Sequence, residues 1–146
     1  MHIRKVTPQD FDKLYSLGLN TPELKVSATE DFMDPDEFNY CITNEQGVFL
    51  LAEEQEEIIG FLYANAKDAE RDYAMKWACL VYIVTHQTYR GKGVAAQLYD
   101  AGITALKKKG ISHLYAWANP QSGVIPFLEK KGLTQGHSYV WMDAKI

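Results

Sequence analysis

The chain has 146 residues, a length that suits one domain around one hydrophobic core. Apolar residues make up 47% and charged residues 23%, which excludes a disordered or fibrous chain. Lys and Arg number 15 against 19 Asp and Glu, and the formal net charge of −4 argues against a general nucleic-acid binder. The same sign is compatible with cationic substrates such as amines. The two cysteines, Cys41 and Cys79, make no disulfide scaffold, and no Cys/His cluster has the spacing of a metal site. Cys79 lies in the apolar run Ala78–Val84 and reads as a reduced core residue. No secretory stretch opens the sequence and no run approaches a membrane span, so the expectation is a soluble, cytoplasmic protein.

In chain order, Ile3–Val6 reads as a short strand. Thr7 can cap a helix with its hydroxyl, and Pro8 suits the first helical position. Phe11, Leu14, Tyr15 and Leu17–Leu19 then supply a helical apolar face. Asp34-Pro35 marks a second helix start, followed by Phe38, Tyr40 and Cys41, and Asn44–Gly47 reads as a turn. Val48–Ala52 and Ile58–Ala66 read as a hairpin across the polar stretch Glu53–Glu57. Lys67–Tyr73 is charged and expected on the surface, and the apolar run Met75–Thr85 reads as a central strand covered on both faces.

Gly91-Lys92-Gly93 breaks that strand. Val94, Leu98, Ala101 and Ala105 recur at helical spacing, Lys107–Lys109 complement the helix C-terminus, and Gly110 ends it. Ile111–Trp117 reads as a strand, Val124–Lys131 as a helix stopped by Gly132, and Ser138–Met142 as a last strand. Strands and helices alternate in the second half, which implies one mixed sheet with helices on its faces. No repeat or linker divides residues 1–146, so one domain is expected.

The glycine turn carries the strongest functional signal. The first N–H groups of a helix lack intrahelical partners and carry the positive dipole end, so they form a ready anion site. Gly91 and Gly93 let the backbone curl close to a ligand, and Arg90 and Lys92 add charge, which suits a pyrophosphate. The spacing fits neither a P-loop nor a dinucleotide fingerprint.

Arg90-Gly91-Lys92-Gly93-Val94-Ala95 resembles the [QR]-x-x-G-x-[GA] signature of the GNAT acetyltransferases, with Arg90, Gly93 and Ala95 on its fixed positions. Tyr89 and Leu98 match its surroundings, and the element order, including Pro126–Leu133, is similar to that family over the whole chain. The resemblance implies an α/β fold with a mostly antiparallel mixed sheet of six to seven strands and helices on both faces. It implies acetyl-coenzyme A as co-substrate, its pyrophosphate on Arg90, Gly91, Lys92, Gly93, Val94 and Ala95. The pantetheine arm would pair like an added strand with Ile83, Val84 and Thr85. Asn119 either contacts that arm or is a turn residue before Pro120.

The implied chemistry is attack of a neutral amine on a thioester, which needs a base and a donor for the carbonyl oxygen. Related chains often place an acidic Tyr four residues before the Gly that ends the late helix, where this chain has Leu128. Tyr139, Tyr115 or a bound water remain as replacements for the acid, or the thiolate leaves unaided, and Tyr82 and His86 remain as bases, with Tyr82 reading better as a packed aromatic. Glu53, Glu54, Glu56 and Glu57 read as a solvated hairpin. The acceptor pocket is expected around residues 20–39, Asn65 and Tyr139, where Glu23, Glu30, Asp31, Asp34, Asp36 and Glu37 face one Lys25. The expected acceptor is a primary amine, on a small molecule or on a protein, and a homodimer through Ser138–Met142 is left open. A catalytically weak sensor of acyl-coenzyme A stands as the alternative, because of Leu128 and the lack of a carboxylate on the long strand.

Overall fold

The computed structural model describes residues 1–146. Five strands form one sheet in the order β1-β2-β3-β4-β5. The strands β1 (His2–Lys5), β2 (Gly47–Glu54), β3 (Glu57–Asn65) and β4 (Trp77–Thr85) pair antiparallel in succession. β4 then pairs parallel with β5 (His113–Ala116), as a crossover through a helix requires. Four α-helices accompany them: α1 (Phe11–Leu19), α2 (Pro35–Thr43), α3 (Val94–Lys108) and α4 (Val124–Lys130).

The mixed, mostly antiparallel architecture agrees with the sequence reading, but the sheet has five strands where six to seven were expected. The missing one is Ser138–Met142, which forms no strand. Val140 and Met142 stand 86% and 89% exposed. Strand propensity without a paired neighbour leaves backbone groups to water, and that is the state of this segment.

Each face of the sheet carries its own core. On one face α1 and α2 close over an aromatic cluster of Phe32, Phe38, Phe49, Phe61 and Tyr63, with Tyr15 and Tyr82 at its border. Phe38 lies at its centre, edge-on to Phe49 at 5.6 Å and to Phe61 at 6.1 Å. On the other face α3 lays Val94, Leu98, Tyr99 and Leu106 against Ile59, Leu62, Ala64 and Leu80. Gly60 lies under the start of that helix. A Cβ at Gly60 would sit 2.6 Å from the Val84 carbonyl oxygen and 3.1 Å from Val94 Cγ1.

Local chemistry sets the element ends. Asp34 caps α2, its carboxylate accepting from the Asp36 amide at 2.8 Å, with Pro35 in the first helical position. The β2–β3 hairpin turns on Gln55 and Glu56 alone, at φ 51° and 66°, so both strands run further into the polar stretch than its composition suggests. Thr7 does not cap through its hydroxyl oxygen. The hydroxyl donates to Asp10 at 3.0 Å, and Pro8 opens a single 3₁₀ turn before α1 begins at Phe11. The loop after β3 is less superficial than expected, because Asp68 is buried and accepts from the Trp77 amide at 3.0 Å.

Asp10 ties three elements together. Arg4 on β1 donates to it at 2.8 and 2.9 Å, and also to Glu53 on β2 at 3.2 and 3.1 Å. The Arg4 guanidinium, helped by the Thr7 amide, holds the Asp10 carboxyl at about 2, against the resistance of burial. A depressed carboxylate contributes stability above its unfolded pKa and loses it as pH falls toward the folded value. Asp10→Asn should therefore lower unfolding stability at pH 7 by roughly 2 kcal/mol. Urea titrations should show the gap between the two proteins closing as the pH drops from 4 to 2, as the wild-type carboxylate protonates.

Candidate active site

β4 begins paired on both edges and ends paired on one. Its register with β5 runs from Trp77↔His113 to Leu80↔Ala116 and stops, while its register with β3 continues to Gly60↔Thr85. From Val81 to Thr85 the edge facing β5 has no sheet neighbour. A bulge coincides with the parting: Tyr63 pairs with Tyr82 and Ala64 with Leu80, so Val81 is the extra residue. Its effect shows in the side chains. Leu80 and Ile83 join the α3 core, whereas the consecutive Val81 and Tyr82 both face the aromatic core.

The parted strands enclose an open cleft of about 640 Å³. One wall is Leu80–Thr85, and the other is Ala116, Trp117, Asn119 and the α4 residues Val124, Phe127 and Leu128. At one end lies the loop Tyr89–Gly93 with the first turn of α3.

That loop is an array of free donors. The six backbone N–H groups from Gly91 to Ala96 make no hydrogen bond within the protein. Gly91 and Gly93 both take left-handed φ, 76° and 82°, which turns the chain sharply before α3. Gly93 is the N-cap residue of α3, and no side chain blocks the amides behind it. Lys92 lies above the Tyr89 ring at 5.0 Å. Arg90 donates to Glu23 at 2.8 Å and to the Thr85 carbonyl at 3.4 Å. Unpaired amides at a helix start, with cations alongside, are the kind of arrangement that attracts a phosphate-bearing anion.

Of the predicted cofactor positions, Ile83, Val84, Thr85, Arg90, Gly91, Gly93, Val94, Ala95 and Asn119 all line the cleft, and Lys92 sits in the same loop. Asn119 does two things at once. Its carboxamide oxygen accepts from the Gln121 amide at 2.9 Å, shaping the turn, while its Nδ2 donates to the Glu23 carbonyl at 3.4 Å.

The candidate acid–base groups are dispersed. Tyr82 lines the cleft, yet it packs on Phe32 at 5.4 Å, and burial pushes its phenol above the usual range. His86 lies outside the cleft lining, its Nδ1 accepting from the Thr88 amide at 3.3 Å and capping the 3₁₀ turn Gln87–Tyr89. Tyr115 also lies outside that lining, under Lys67, which stands 5.6 Å from its ring. Tyr139 is 70% exposed and touches the cleft only through Trp117, edge-on at 5.3 Å. Leu128 lines the cleft and belongs to the α3 core. Asn65 pairs with Gly47 and Cys79 within the sheet, away from the cleft. The hairpin glutamates are occupied at the far side, Glu53 with Arg4 and Glu54 with the N-terminus at 3.5 Å.

Sequence reasoning did not single out Glu23. Among the acidic residues of the segment 20–39 it alone reaches the cleft, and it is the only carboxylate in the lining. Its acid strength is increased first by the Arg90 hydrogen bond and then by its own backbone amide, so it is ionised. No signal in the sequence separates it from Glu30 or Asp31, because only the 3₁₀ turn Pro22–Leu24 carries it to the cleft.

The model of the Acetyltransferase (GNAT) family matches residues 12–133. The chain belongs to that family. Several solved structures share its fold at low identity. An aminoglycoside acetyltransferase from an uncultured soil metagenomic sample, in complex with sisomicin, is 14% identical with a TM-score of 0.76, covering 99% of this chain and 95% of that one. The PaiA N-acetyltransferase of Thermoplasma acidophilum, in complex with coenzyme A, is 18% identical with a TM-score of 0.77, covering 94% and 92%. A transcriptional regulator from Bacillus halodurans is 20% identical with a TM-score of 0.77, covering 98% and 99%. No curated protein matches the chain by sequence.

The loop makes a direct prediction. Gly93→Asp puts a Cβ on a backbone at φ 82° and a negative charge against the free amides. The strain should cost about 1–2 kcal/mol. Saturating inorganic pyrophosphate should raise the melting temperature of the wild type and leave that of Gly93→Asp unmoved, as read by thermal denaturation.

Proposed function

We propose that this chain transfers an acetyl group from acetyl-coenzyme A to a primary amine, and that one domain spanning residues 1–146 does so. The observation that carries the reading is the parting of β4 from β5 with six free amides at one end of the gap. The amides of Gly91–Ala96, with Arg90 and Lys92, suit the pyrophosphate. The open edge at Ile83, Val84 and Thr85 suits the amide-bearing arm, which would bind as a short added strand. The arm's length then directs the thioester toward the bulge at Val81, where the gap narrows to the Leu80↔Ala116 pair.

There the amine nitrogen would form a bond to the carbonyl carbon as the C–S bond breaks. The amine loses one proton, and the thiolate leaves between walls that include Leu80 and Leu128. Backbone N–H groups on the unpaired edge of β4 are the available donors for the carbonyl oxygen as charge grows on it. No imidazole lines the cleft, so proton removal falls to solvent reaching the open end. A cytoplasmic location fits a user of acetyl-coenzyme A, and no helix is long and apolar enough to cross a membrane.

A second reading keeps the cofactor and drops the turnover: a weak or inactive sensor of acyl-coenzyme A. Leu128 favours it, since a leucine beside the leaving sulfur donates no proton. Thiol release from acetyl-coenzyme A across a panel of amines separates the two. Amine-dependent release is expected; cofactor binding with no amine accelerating release would establish the sensor instead.

The unpaired segment Ser138–Met142 and the free outer edge of β5 support pairing across a homodimer. Sedimentation should give the mass of a dimer, and removal of residues 138–146 should return it to a monomer.

A further inference from the structure

Both side chains that reach from opposite walls toward the cofactor path are held by one residue. Arg90, at the end of the β4 wall, donates to Glu23 Oε1 at 2.8 Å. Asn119, just past β5, donates to the Glu23 carbonyl at 3.4 Å. The 3₁₀ turn Pro22–Leu24 therefore straps the two lips of the cleft together. The strap is incompletely satisfied. Glu23 Oε2 is buried with no hydrogen-bond partner, and so is the Thr85 hydroxyl, whose own carbonyl Arg90 contacts. An ionised oxygen withdrawn from water without a donor is a cost that a ligand can relieve.

Arg90 cannot serve two anions equally. A diphosphate at the Gly91–Ala96 amides carries more charge than the Glu23 carboxylate and sits at the helix dipole as well. It should draw Arg90 away. Glu23 is then an ionised carboxylate at the edge of the cleft with Oε1 free for a donor.

We propose that Glu23 is the acceptor-recognition residue of this cleft, paired with Arg90 in the empty protein and released to a cationic acceptor when a diphosphate-bearing cofactor takes Arg90. The inference rests on the reading of the cleft as a coenzyme A and amine site, and it names the acceptor class: amines carrying a second positive charge. Glu23 binds that second charge, and the other nitrogen, uncharged, attacks the thioester. Because the carboxylate is shared, cofactor and acceptor must help each other bind, by equal factors in both directions.

Calorimetry of full-length wild type and Glu23→Gln tests this without requiring turnover. The probes are coenzyme A, 1,4-diaminobutane and, as the singly charged control, butylamine. In the wild type, saturating coenzyme A should tighten diaminobutane by about tenfold more than it tightens butylamine. In Glu23→Gln that extra factor should vanish, while coenzyme A alone binds up to about fivefold tighter, because Arg90 is already free. The same extra factor in both proteins overturns the proposal, as does coenzyme A binding no tighter to the variant. Wild type that fails to bind coenzyme A would instead overturn the reading of the cleft itself, and this inference with it.

Discussion

The separation of two neighbouring strands governs this molecule. β4 and β5 share four register pairs and then diverge, and the place of divergence is marked by one surplus residue, Val81. Around it the alternation still runs Leu80 to the α3 core, Tyr82 to the aromatic core, Ile83 to the α3 core and Val84 to the aromatic core. With it, two successive side chains point the same way, the strand twists away from β5, and a row of backbone donors is left unclaimed. A buried sheet does not tolerate unclaimed donors in the absence of a partner or water, so the gap is kept open as a cleft.

The two cores hold this arrangement from either side. The aromatic cluster under α1 and α2 anchors Tyr82 by contact with Phe32 and Phe61, which fixes the bulge on its far side. The α3 core fixes the helix whose first turn presents the amides. The start of α3 is thus set by packed elements, whereas the loop Arg90–Gly93 and the turn at Glu23 are short and partly exposed.

The glycine turn at the start of α3 was readable in the sequence because its determinants are local. Two glycines, two cations and a strongly periodic helix lie within a few residues of each other, and each has one structural use. The strands of the hairpin and the long apolar strand were readable for the same reason. The bulge was not, because Val81 differs in no way from its neighbours in type, and a one-residue surplus appears only when partners are aligned. Glu23 was not readable either, since its importance comes from contacts with Arg90 and Asn119, residues far along the chain. The last strand failed in the opposite direction: Ser138–Met142 has the composition of a strand, but pairing is a property of two segments, and one alone does not show it.

Gly60 lies on the α3 face of the sheet, outside the cleft lining but against two residues of it, Val84 and Val94, and so bears on where the amide array sits. Any side chain there would collide with the Val84 carbonyl and with Val94, the first residue of α3. Relief would come by lifting the start of the helix off the sheet, and the donors would travel with it. A single methyl group there would therefore shift the free amides by a small displacement. The placement of the free amides is thus adjustable from behind, at a position that a survey of cleft-lining residues would pass over.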